Sequence, residues 1–142
     1  MESDSETVVP ASVKSPLCDH SDITFVVAFG SRVADRSRPA SDLDIAIKFA
    51  DSLSSTDRFR EQCRLSGQLQ TEGTPFIDLS DIEELSLEFA HAAVSGEFVC
   101  GDRKAFEQFK KEIEHEFSEN KREREKEHRE QIRRIADEGL HG

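Results

Sequence analysis

Apolar positions along the chain fall into a few short runs with clear periods. Thr24 to Phe29 reads Thr-Phe-Val-Val-Ala-Phe, a β-branched and aromatic run that predicts a buried strand ended by Gly30-Ser31. Arg32 to Ser41 is polar, with Asp35 and Pro39, and reads as the start of a helical turn followed by a loop. Leu43, Ile45, Ile47 and Phe49 then alternate with Asp42, Asp44, Ala46 and Lys48, the period-two pattern of a strand with one apolar face. Over Ser52 to Gln70, Phe59, Cys63 and Leu69 recur at helical spacing, and Gly73 and Pro75 break that helix. Phe76-Ile77-Asp78-Leu79 predicts a short third strand, with Ser80 and Asp81 as caps for the next element. Leu85, Phe89, Ala92 and Ala93 mark a helix that ends near Gly96, and Phe98-Val99-Cys100 is a brief strand or extended turn.

Gly101-Asp102 opens a long helix that changes character midway. Phe106, Phe109, Ile113 and Phe117 form an apolar stripe fit to dock on a core. Ser118 to Gln131 has no apolar residue, and Ile132 and Ile135 are the later exceptions. Its mixed charges, Glu125 with Arg129 and Glu130 with Arg134, suit a helix that projects into solvent or meets a partner. Residues 1–20 have little periodicity and read as a tail with a short extended piece at Val8-Val9. The expected organisation is therefore a tail (1–20), one domain (21–117) and a charged helical extension (118–142). The alternation of strands and helices favours an α/β or α+β fold, a small mixed β-sheet flanked by helices.

Composition narrows the function classes. At 142 residues the chain has room for one ordinary domain. Its 30 acidic against 19 basic residues give a formal net charge of -11, which disfavours bulk attraction to nucleic acid or anionic membranes. A surface this acidic suits a high-salt cytoplasm and a halophilic source. No apolar run is long enough to span a membrane, and Met1 to Pro10 does not resemble a signal peptide. Cys18, Cys63 and Cys100 are odd in number and lack paired spacing, so neither a disulfide framework nor a zinc site is expected. Cys63 and Cys100 are expected to be small buried hydrophobes, in keeping with a reducing cytoplasm. His20, His91, His115, His128 and His141 show no metal-ligand spacing.

The chemistry concentrates in Gly30-Ser31, a ten-residue interval, and Asp42-Leu43-Asp44. Asp42 and Asp44 are two apart on a strand and project from one face. Paired carboxylates repel, and hard oxygen donors of this kind suit magnesium or manganese. A glycine at the preceding strand end lets backbone amides approach a phosphate, and the Ser31 hydroxyl adds a donor. Asp78, alone in an apolar strand, is costly to bury unless it is paired or binds a metal. Placed beside Asp42 and Asp44 it would complete a carboxylate triad able to hold a nucleoside triphosphate with Mg²⁺. Arg32, Arg36 and Arg38 are the dense basic cluster nearby, read either as triphosphate or partner contacts or as a solvated loop.

Phe29-Gly30-Ser31-Arg32 followed by Ser41-Asp42-Leu43-Asp44-Ile45 resembles the signature of the DNA-polymerase-beta-like nucleotidyltransferases, in their minimal, single-domain form (MNT proteins). The resemblance runs over about residues 22–118, with Ile77-Asp78-Leu79 at the family's third acidic position and Glu97 to Phe109 like its closing segment. Asp35-Arg36 stands where the family often has glycine, and the helix before the first strand is short or missing. The resemblance implies a polymerase-beta-like nucleotidyltransferase fold. It implies that Gly30, Ser31 and Arg32 contact the nucleotide, and that Asp42, Asp44 and Asp78 bind two Mg²⁺ ions, with Asp78 also the base. It further implies an antitoxin of the HEPN/MNT toxin–antitoxin type, transferring AMP from ATP to a HEPN-type RNase toxin with which it forms a hetero-oligomer. The alternatives are a non-catalytic antitoxin that occludes its partner and a small-molecule nucleotidyltransferase. A plain interaction protein would bind no Mg-ATP.

Overall fold

The computed structural model describes residues 9–30, 43–70 and 77–139. Among them the order is α1 (Ala11–Cys18), β1 (Ile23–Phe29), β2 (Leu43–Phe49), α2 (Ser55–Leu69), β3 (Ile77–Asp81), a 3₁₀ turn (Ile82–Glu84), α3 (Leu87–Val94), β4 (Glu97–Gly101) and α4 (Arg103–Gly139). The strands form one mixed sheet in the order β3-β2-β1-β4, the fold class the alternation predicts. β1 pairs antiparallel with β2 and β4, whereas β2 and β3 are parallel. A parallel pair needs a crossover, and α2 supplies it.

Helices cover both faces. On one, Val13 and Leu17 of α1 and Leu65 and Leu69 of α2 pack against Val26, Ile45, Ile47, Phe49, Ile77 and Leu79. On the other, Ala90, Ala93 and Val94 of α3 and Phe106 and Ile113 of α4 pack against Phe25, Val27 and Ala46. Phe25 meets Phe106 edge-on at 5.4 Å between ring centroids, and Phe117 stacks on His91 at 3.9 Å. The stripe from Phe106 to Phe117 is thus core and its margin, and the side chains from Ser118 to Ala136 are exposed along one continuous helix.

Three expectations are corrected. Ala11–Cys18 is a helix rather than part of a tail, because Val13 and Leu17, four apart, fill the groove over β1. Cys18 and Cys100 are joined by a disulfide, not free, since α1 lies beside β4 with their Cα atoms 5.9 Å apart. Their separation of 82 residues hides that proximity in the sequence. Cys63 is exposed rather than buried, and Phe59 is 66% exposed. The face that α2 turns inward is Arg58, Gln62, Leu65 and Leu69, which keeps helical spacing with two polar members.

Candidate nucleotide and metal site

The candidate site lies where β1 ends and β2 begins. Gly30 has φ +94°, and a Cβ built on it would stand 2.0 Å from the Asp44 carboxylate oxygen. Only glycine brings the chain past that carboxylate in this conformation. Asp44 is paired across the sheet with Phe29 on one side and Asp78 on the other. Asp44 and Asp78 are thus register neighbours on strands about 4.8 Å apart, on the face that also carries Ala46. Asp44 is half-buried and Asp78 exposed. Ile77 and Leu79 on either side are buried, so β3 turns its acid to solvent. The expected cost of burying Asp78 therefore does not arise. Among the described charged residues, burial falls instead on Asp81, 3% exposed, where Arg58 Nε donates to it at 2.8 Å.

Of the residues singled out from sequence, Gly30, Asp44 and Asp78 are brought together, whereas Ser31, Arg32, Arg36, Arg38, Asp42 and Phe76 lie outside the described residues. Two hard carboxylates side by side, with a close-approach glycine next to them, fit a divalent cation and the phosphates it accompanies. Among the described residues no group of three His, Cys, Asp or Glu is placed to hold an ion. His20 and His91 are taken up elsewhere, in a hydrogen bond to Glu61 and a ring stack on Phe117.

Sequence reasoning missed the amides that hold β3. Gln62 Nε2 donates to the Leu79 carbonyl at 2.9 Å and Gln70 Nε2 to the Ile77 carbonyl at 2.6 Å. The available signal is that Gln62 falls three positions before Leu65, on the inward stripe of α2.

Residues 12–105 match the family described as Polymerase beta, Nucleotidyltransferase. No curated protein matches the chain significantly. Solved structures do. A toxin–antitoxin crystal structure with AMP-PNP superposes with a TM-score of 0.60 at 21% identity, over 84% of this chain and 93% of that one. A tri-AMPylated Shewanella oneidensis HEPN toxin in complex with MNT antitoxin gives a TM-score of 0.55 at 21% identity, over 80% and 87%. The toxin–antitoxin structure MntA-HepT gives 0.56 at 20% identity, over 84% and 91%. At such identities the likeness is one of fold.

Proposed function

The chain belongs to the polymerase beta nucleotidyltransferase family, and from that premise we propose that it transfers AMP from ATP to a hydroxyl of a partner protein. The partner we assign is a HEPN-type toxin, which this chain would neutralise as antitoxin. The structures it superposes on include a toxin–antitoxin pair with AMP-PNP and an AMPylated HEPN toxin with its MNT antitoxin, and both support the assignment. The observation that carries the catalytic reading is the register pairing of Asp44 with Asp78 beside Gly30.

In this reading the Gly30 amide and the Ser31 hydroxyl orient the triphosphate, with Arg32 beside them. Asp42, Asp44 and Asp78 would hold Mg²⁺, which supplies charge neutralisation to the triphosphate and the departing pyrophosphate. The acceptor oxygen bonds to the α-phosphorus as the bond to the β-phosphate's bridging oxygen breaks. Pyrophosphate leaves with that electron pair, and the acceptor proton passes to the Asp78 carboxylate. Because Asp78 is exposed, a side chain of a partner protein can reach its carboxylate. We assign the work to the cytoplasm on the supply of ATP alone, since the Cys18–Cys100 disulfide removes the thiol argument for a reducing compartment. Among the described residues no helix is long and apolar enough to cross a membrane.

The test is co-expression with the protein encoded beside this chain and intact-mass measurement of that candidate partner. A gain of one AMP mass per modified site, absent with Asp44→Asn, supports the reading. A partner neutralised at unchanged mass replaces catalysis by occlusion.

A further inference from the structure

Among the described residues β3 is an outer strand of the sheet, with β2 on its inner side. Alternate residues of a strand turn their peptide groups to opposite sides. Ile77 and Leu79 present theirs to the outer edge, where a free strand would fray or pair with another chain. Here two side-chain amides, from α2 and its C-terminal cap, bond that edge. Gln70 both donates to the Ile77 carbonyl at 2.6 Å and accepts from the Ile77 N–H at 3.4 Å, as a further strand would. Gln62 donates to the Leu79 carbonyl at 2.9 Å. The two residues so held are the immediate neighbours of Asp78.

We infer that Gln62 and Gln70 are positioning residues for Asp78, holding its strand from the outer edge so that its carboxylate stays in register with Asp44; this rests on the role proposed for Asp78 above. Neither glutamine touches the site face. Leu65 and Leu69, on the same helix, already bury α2 against the sheet, so the amides are not needed to dock it. What they fix is the peptide on each side of one carboxylate. Gln70 also joins the two ends of the connection that leads into β3, seven residues apart in sequence. A misplacement of about 1 Å far from the chemistry can cost about 10²-fold in rate, so a strand edge is a sufficient place to govern turnover.

The experiment replaces both amides by a side chain of equal length without hydrogen-bonding groups, Gln62→Met with Gln70→Met. AMP transfer from radiolabelled ATP to the co-expressed candidate partner is measured well below the melting temperature of either form. Expected is a fall in kcat of about tenfold or more. KM for Mg-ATP should change by less than kcat, because Gly30, Asp42 and Asp44 are untouched. Hydrogen exchange at the Ile77 and Asp78 amides should quicken while the β1 amides keep their rates. A double variant as active as an active wild type overturns this inference alone. So does a loss of kcat that vanishes wherever both forms are fully folded, or one accompanied by equal loosening of β1. An inactive wild type counts instead against the transferase reading and ends this inference with it.

Discussion

Gly30 joins backbone geometry to site chemistry more tightly than any other described residue. At φ +94°, with Asp44 against its missing Cβ, Gly30→Ala meets two obstacles at once. We expect it to lower stability by about 1–3 kcal/mol and to cut nucleotide transfer, read by chemical denaturation and by the label assay. Asp78→Ala should behave oppositely: transfer lost, melting temperature unchanged or raised, because it removes one of two adjacent like charges. A fall in stability with transfer intact would take Asp78 out of the site. Away from the site, Glu61 contributes to acid sensitivity. Hydrogen bonds from Arg64 and then from His20 hold its carboxyl well below the ordinary 4.5, at about 2. Its folded pKa is depressed, so its stabilising contribution is complete above about pH 4.5 and is lost as pH falls towards 2. The melting temperature should drop through that window, and Glu61→Gln should flatten the dependence while lowering stability at neutral pH.

At the scale of elements, the strands were legible because each is a short apolar run with its own period, and Asp44 and Asp78 because their acids interrupt those runs. The inward face of α2 was not, since Arg58 and Gln62 occupy core-facing positions and pair with Asp81 and the Leu79 carbonyl. A pattern of apolar residues alone shifts the phase of that helix to Phe59 and Cys63, both exposed. α1 was illegible for another reason: it contributes only Val13 and Leu17, too few to show a period against its polar surroundings. α4 divides as its composition indicates. Ile113 is the last buried residue described in it, and Phe117 the last apolar side chain packed on a neighbour. Truncation after Phe117 should leave one cooperative unfolding transition within a few degrees of the full chain, by calorimetry. Loss of that cooperativity would show that the exposed half of α4 supports the core.

For the whole molecule, charge and covalent linkage set the stability. A net charge of -11 on one small domain repels itself. Raising salt from about 0.1 M to about 1 M shortens the screening length from about 10 Å to about 3 Å, and the melting temperature should rise with it. The Cys18–Cys100 bond was not legible, because sequence spacing says nothing of which residues the sheet brings together across 82 positions. Reducing it with a dithiol should cost about 4.5 kcal/mol of unfolding free energy by the chain-entropy account. Cys18→Ser should reproduce the loss and be insensitive to the reductant.

That bond also makes the chain a ring with an appendage at each end. The strands β1 to β3, the helices α2 and α3, β4 as far as Cys100 and every proposed site residue lie within the loop, whereas α1 up to Cys18 on one side and α4 on the other hang outside it. One backbone cut anywhere from Asp19 to Val99 therefore releases nothing. The pieces travel as a single species until the sulfurs are reduced, and then separate at the size of the cut. A cut within the exposed half of α4 frees its fragment at once, with or without reductant. Limited proteolysis run on paired reducing and non-reducing gels would consequently sort every cleavage site into ring or appendage.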